Sequence, residues 1–184
     1  MMMSPLLSFR IPRCIEHAGI RLRPLRFLDG PLISRELNRG EISTTAGSGR
    51  VLSRSSLETW WWMKKTFPVL FCIEVESKCV GFIGMYNIEP GESSEVTLVV
   101  FESGERRRGY GSRAYAALAS KLRPSSLARV IIARVKADNH PSLSFWKKLG
   151  FDELHTKDGI KSMATALGAS RGESPLKEFL FVIE

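Results

Sequence analysis

The stretch ERRRGYGSRAYAALASKL, Glu105 to Leu122, sets three consecutive arginines against a Gly-Tyr-Gly step and then reads as helix. The first turn of a helix leaves backbone N–H groups unpaired and carries the positive end of the helix dipole, so it attracts phosphate. Glycines at 109 and 111 remove the Cβ atoms that would hold a pyrophosphate away from those amides, and the arginines add charge. The turn is not a P-loop, because no Gly-Lys-Ser/Thr follows, and a dinucleotide fingerprint fails for want of a third glycine. Two readings stand on these residues alone: a cradle for a pyrophosphate, and a solvated basic turn whose glycines serve sharp geometry.

Working outward, Glu95 to Phe101 (EVTLVVF) reads as the strand that feeds this turn, and Arg129 to Lys136 (RVIIARVK) as the strand that leaves the helix. A strand-helix-strand unit of this length makes a crossover with its two strands side by side and parallel. Upstream, Gly19 to Pro24 alternates as a first strand, and Leu28 to Arg39 reads as a helix closed by Gly40. Ser55 with Glu58 forms a capping box for a second helix running to about Lys65. Val69 to Glu76 and Cys79 to Ile88 flank Ser77-Lys78 as a hairpin, in a register that pairs Cys72 with Ile83 and argues against a disulfide to Cys79. Downstream come a short helix from Pro141 to Leu149 and a closing strand from Leu176 to Ile183.

At 184 residues, 43% apolar and 25% charged, the chain can bury one proper core. The expected organisation is a flexible N-terminal arm, residues 1–18, before a single domain, residues 19–184. Lys and Arg number 27 against 19 Asp and Glu, and the first 65 residues hold 11 of the basic but only 5 of the acidic ones. Such a balance suits nucleic acid, an acidic partner or a phosphorylated cofactor, yet no RNA- or DNA-binding signature accompanies it. Cys14, Cys72 and Cys79 are odd in number and lack metal-ligand spacing, and His17, His140 and His155 lie far apart. The reading is therefore no metal, a reducing compartment and a cytoplasmic protein, since Arg10 and Arg13 interrupt the opening MMMSPLLSF too soon for a signal or a membrane span.

The spacing Arg106-x-x-Gly109-x-Gly111 at a strand-to-helix junction resembles the acyl-CoA pyrophosphate motif of the GNAT superfamily of N-acetyltransferases. Asn139 to Phe151 (NHPSLSFWKKLGF) is similar to that superfamily's next motif, in which an Asn closes a strand and a short helix ends in Leu-Gly-Phe. With VGFIGMYNI (Val80 to Ile88) upstream, the resemblance spans residues 19 to 157. The opening IRLRPLRFLDG and the KLGF ending look most like the branch of ribosomal-protein N-terminal and small-molecule acetyltransferases. The resemblance implies an α/β fold: a mixed central sheet of six to seven strands flanked by about four helices, with a V-shaped split between the fourth and fifth strands. It also implies acetyl-CoA as co-substrate and transfer of its acetyl group to a primary amine by direct attack in a ternary complex.

Carried over position by position, the pyrophosphate would rest on the amides of Arg107, Gly109, Tyr110, Gly111 and Ser112 with their neighbour Arg108, and Arg106 and Arg108 would serve the phosphates. The pantetheine arm would lie in the split like a missing strand, with an amide near Val99 or Val100 facing the thioester oxygen. Asn139 would hold that arm or orient its loop; the alternative is a plain turn residue. Glu95 is the candidate base through a water, the alternative being an exposed strand-end charge. Relatives place a tyrosine acid where this chain has Trp146, which carries no titratable proton and is left as a cofactor contact. Ser142 or Ser144 is the substitute acid, through a hydroxyl or a held water, with helix capping as the other reading. A thiolate of pKa about 8.5 also departs without much help.

The acceptor pocket is expected from residues 28 to 65 and from a loop at about 159 to 175, which include TTAGSG (Thr44 to Gly49) and ATALGASRG (Ala164 to Gly172). Trp60, Trp61 and Trp62 turn about 100° apart on a helix, so they cannot share one core. The expected partners are acetyl-CoA and an amine, with no membrane, and the chain is read as a monomer or homodimer. Two other classes stay open: a non-catalytic acyl-CoA-binding module of the same fold, and a basic nucleic-acid or ribosome-associated protein.

Overall fold

Most of the described strands form where apolar and polar side chains alternate, and a short early strand and a late hairpin form where the sequence reading overlooked them. The computed structural model describes residues 12–38, 56–101, 107–125 and 127–167. The strands are β1 (Ile15–His17), β2 (Ile20–Pro24), β3 (Val69–Val75), β4 (Lys78–Glu89), β5 (Ser93–Val100), β6 (Val130–Lys136), β7 (Asp152–Lys157) and β8 (Ile160–Ala166). The helices are α1 (Gly30–Asn38), α2 (Ser56–Thr66), α3 (Tyr110–Leu122) and α4 (His140–Lys148). The sheet runs in the order β1-β2-β3-β4-β5-β6-β8-β7. The crossover through α3 leaves β5 and β6 parallel, as expected, in a ladder registered from Ser93↔Val130 to Glu95↔Ile132.

The mixed α/β class and four described helices agree with expectation, while the sheet has eight strands among the described residues rather than six to seven. One addition is β1, which falls within the N-terminal arm and pairs with β2 from Ile15↔Leu22 to His17↔Ile20. The other is the β7–β8 hairpin. The loop expected at about 159 to 175 is thereby corrected over its first part, because Ile160–Ala166 is a strand paired with both β6 and β7. Asp158 and Gly159 both adopt positive φ, 51° and 73°, the conformation of a two-residue hairpin turn. The expected closing strand Leu176 to Ile183, the loop from Glu41 to Val51 and the cap residue Ser55 lie outside the described residues.

The chain divides into two units. Among the described residues, the first holds 12–86 and 97–118. Its core gathers Leu25, Ile33, Leu37, Met63, Phe67, Leu70, Cys72, Phe82 and Phe101. Ile33 and Leu37 share one face of α1 at the i, i+4 spacing that buries a stripe. Trp62 packs on this core edge-on to Phe67, with ring centroids 6.0 Å apart, whereas Trp61 is 61% exposed; the side chain of Trp60 lies outside the described ones. Arg23 ties β2 to the turn before α1: Nη1 and Nη2 donate to Asp29 Oδ2 and Oδ1 at 2.7 and 3.0 Å, and Nε donates to Glu74 on β3.

The β3–β4 register differs from the expected one. Cys72 faces Phe82, and a bulge between Ile73 and Glu74 sets Cys79 opposite Glu74. The shift brings the thiols of Cys72 and Cys79 and a carboxylate oxygen of Asp29 within 4.8 Å of one another. All three cysteines are free. The Arg23 guanidinium on both oxygens of Asp29 opposes a cation at this cluster.

The second unit holds 87–96 and 119–167. Here β6 pairs β8 along its full length, from Val130↔Ala166 to Lys136↔Ile160. Val130 and Ala164 are buried with Ile132 and Leu154 against them. At the end of α4, Trp146 lies against Phe151 with ring centroids 4.7 Å apart.

Candidate active site

In the first unit, the arginine-glycine turn forms the head of α3. Arg107 and Gly109 both take positive φ, 68° and 77°, so the chain reverses sharply before Tyr110 starts the helix. The first helical bond runs from the Arg113 amide to the Gly109 carbonyl at 3.0 Å. The amides of Tyr110, Gly111 and Ser112 therefore have no acceptor within the helix. Arg107, Arg108 and Ser112 are exposed, Tyr110 and Gly111 are buried, and α3 has no acidic residue in its first turn. Arg106 lies outside the described residues.

Val99 and Val100, half-buried on β5, sit against a close backbone approach in the same unit. A Cβ on Gly81 of β4 would stand 2.1 Å from the Val99 carbonyl oxygen and 3.1 Å from Val100 Cα, so only glycine fits there. The Phe101 amide bonds the Val80 carbonyl at 2.9 Å, fixing the end of β5.

In the second unit, Glu95 is buried, which removes the exposed strand-end alternative. Its carboxylate is held from two strands: Asn87 Nδ2 donates to Oε1 at 3.0 Å, and Arg134 Nε donates to Oε2 at 2.8 Å. These two bonds, one to each oxygen, orient the carboxylate. Asn139 caps α4, its Oδ1 accepting the Ser142 amide at 3.2 Å with Pro141 in the first turn. The capping oxygen is that of Asn139, and Ser142 enters the bond through its backbone amide rather than its hydroxyl. Trp146, expected at the cofactor, is 5% exposed, between Phe145 and Phe151 at 5.0 and 4.7 Å. Its indole is core.

The structure thus groups Arg107, Arg108, Gly109, Tyr110, Gly111 and Ser112 in one turn, joins Glu95 to Asn87 and Arg134, and joins Asn139 to Ser142. Asn87 and Arg134 were missed by sequence reading. Arg134 alternates as an exposed residue in RVIIARVK, and only the pairing of β6 beside β5 shows which acid it meets.

Residues 40–151 match the Acetyltransferase (GNAT) family. An uncharacterized N-acetyltransferase of Methanocaldococcus jannaschii is 30% identical over 104 residues, 54% of this chain and 46% of that protein, so the match spans about half the length of this relative. The fold is similar to that of RimL, a ribosomal L7/L12 alpha-N-protein acetyltransferase in complex with coenzyme A, with a TM-score of 0.70 and 14% identity over 85% of this chain and 99% of that one. It is similar also to spermidine N-acetyltransferase from Vibrio cholerae in complex with CoA and spermine, with a TM-score of 0.68 and 15% identity over 81% and 96% of the two chains. At such identities the likeness is one of fold, and the family match rests on the sequence: the chain belongs to the GNAT acetyltransferase family.

Proposed function

We propose that this chain transfers an acetyl group from acetyl-CoA to a primary amine, a protein N-terminus or a small-molecule amine, by direct attack in a ternary complex. The head of α3 carries this reading: three helix-terminal amides, two left-handed residues, adjoining arginines and a first helical turn without acids. The pyrophosphate rests on the amides of Tyr110, Gly111 and Ser112, with Arg106, Arg107 and Arg108 supplying charge. An amide at Val99 or Val100 stabilises the oxyanion as the amine nitrogen attacks the thioester carbon.

Glu95 is the base that takes the proton of the attacking ammonium through a water, oriented by Arg134 and Asn87. The C–S bond then breaks, and the CoA thiolate leaves unaided or takes a proton through Ser142. RimL and the spermidine enzyme, by their names, act on a protein α-amine and on a polyamine, which supports a primary amine as the acceptor class. No described helix is long and apolar enough to cross a membrane.

The test is release of CoA thiol from acetyl-CoA in the presence of amines: peptides with free N-termini, polyamines and aminoglycosides. At least one class is expected to accelerate release. Glu95→Gln lowers kcat by about 10²- to 10⁴-fold at unchanged CoA affinity. Thiol release that no amine accelerates overturns the reading.

A further inference from the structure

One guanidinium in the first unit meets three backbone carbonyls and an aromatic ring. Arg113, on the second turn of α3, donates from Nη2 to the Arg108 carbonyl at 2.9 Å and from Nε to the Gly109 carbonyl at 3.4 Å. Nη1 donates to the carbonyl of Ala18 at 2.6 Å, ninety-five residues away in the turn between β1 and β2. The guanidinium carbon stands 4.9 Å from the centre of the Tyr110 ring, itself buried.

We propose that Arg113 is the positioning residue that fixes the phosphate-facing turn of α3, which rests on the acetyl-CoA reading above. A trans peptide plane points its carbonyl and its N–H in opposite directions. Holding the Arg108 carbonyl therefore fixes the Gly109 N–H, and holding the Gly109 carbonyl fixes the Tyr110 N–H. Those are amides at the helix head where an anion binds. The clamp also spans Arg108, which lies between two left-handed residues; Arg107 at φ 68° is outside the relaxed range of a side-chain-bearing residue and needs its neighbours held.

The far anchor is shaped as well. Ala18 and Gly19 have φ of 46° and 78°, the signs of a two-residue hairpin turn, and that turn presents the Ala18 carbonyl to Nη1. The choice of arginine follows from geometry. A rigid fork reaches carbonyls on both sides at once, whereas an ammonium of the same charge reaches them one at a time. Electrostatics alone would not select a cation here, because the helix start is already the positive end of the dipole and no acid in the first turn offsets it. A bound pyrophosphate supplies the missing negative charge.

Calorimetric titration of the full chain with CoA, alongside steady-state kinetics, tests the assignment on wild type, Arg113→Gln and Arg113→Lys. Arg113→Gln is expected to weaken CoA about tenfold and raise the acetyl-CoA KM in step, with kcat at saturation within about twofold of wild type. Arg113→Lys keeps the charge but loses the fork and is expected to recover less than half of that loss on a logarithmic scale. Full recovery by lysine would show that charge suffices, and overturns the clamp. Unchanged CoA affinity in Arg113→Gln, even with a lowered melting temperature, likewise overturns it and leaves the acetyl-CoA reading standing. Failure of the wild type itself to bind CoA overturns both.

Discussion

Arg134 donates from Nε to Oε2 of Glu95 across 2.8 Å, joining β6 to β5 just past the last registered pair of their parallel ladder, Glu95↔Ile132. The pair is asymmetric: the glutamate side chain is 8% exposed and the arginine side chain 54%. Removing the arginine leaves a buried carboxylate with one fewer donor, and Asn87 still on its other oxygen. Arg134→Leu is therefore expected to cost roughly 1–3 kcal/mol of stability. It should lower kcat by about tenfold, less than Glu95→Gln, with the acetyl-CoA KM unchanged. A variant as inactive as Glu95→Gln would show that Arg134 does more than orient the acid.

Gly81 lies where β4 comes closest to the backbone of Val99 and Val100. The atoms that a Cβ would meet are main-chain, at 2.1 and 3.1 Å, so they cannot swing aside as a side-chain tip would. Gly81→Ala is expected to destabilise by at least about 1–3 kcal/mol and to lower kcat by displacing the amides near Val99. Thermal melts and initial rates measure both effects. A stable, fully active Gly81→Ala protein would remove Val99 and Val100 from the mechanism.

The buried Asp29–Arg23 pair makes stability acid-sensitive. Burial alone would raise the Asp29 carboxyl, but the Arg23 bonds, the Arg26 amide and the positive charge of both arginines outweigh it and hold the group below its ordinary 3.8. A depressed folded-state pKa gives stability that is fully present above the unfolded value and is lost as pH falls through the folded one. The wild type should therefore lose this contribution only below about pH 4. Asp29→Asn should be less stable at pH 7 and should show a shallower loss below pH 4, measured by urea midpoints across pH. Parallel curves for the two proteins would contradict the ion pair's role.

The two thiols of the β3–β4 pair should differ in reactivity. A hydrogen bond from Cys72 favours the thiolate of Cys79, and the same bond with burial pushes the Cys72 thiol up. Cys72 is fully buried while Cys79 is half-buried. Iodoacetamide should modify Cys79 well before Cys72, which should react only on unfolding; peptide mass mapping over time reads the order. Reaction of Cys72 first would contradict the register.

Features carried by contiguous residues were legible in the sequence. The run from Arg107 to Ser112 announced a glycine turn at the head of a helix, and Pro141 through Gly150 announced a short helix stopped by glycine, because helix starts and glycine turns are local chemistry. Features set by pairing were not. The bulge at Ile73 and Glu74 moves Cys79 by one residue, and nothing in VLFCIEVESKCV marks it. The partners of Glu95 come from positions 87 and 134, linked only by the fold. The β7–β8 hairpin had a readable signal in Asp158-Gly159, obscured because β7 (DELHTK) is almost wholly exposed and lacks an apolar face. The packing of Trp146 was not legible for another reason: its reading came from relatives that carry a tyrosine there, and the indole lies against Phe151.

Acetyl-CoA use is the central claim, and calorimetry of the wild type and Gly109→Asp tests it most directly, with ATP and NAD as controls at moderate salt. Gly109 holds φ 77°, so any side chain strains the turn, and aspartate also sets a negative charge where the proposal seats the pyrophosphate. The account predicts saturable one-to-one binding of acetyl-CoA to the wild type, little or none of ATP and NAD, and loss of binding in a Gly109→Asp protein that still melts cooperatively. No heat with acetyl-CoA, or equal heat from ATP, would contradict it.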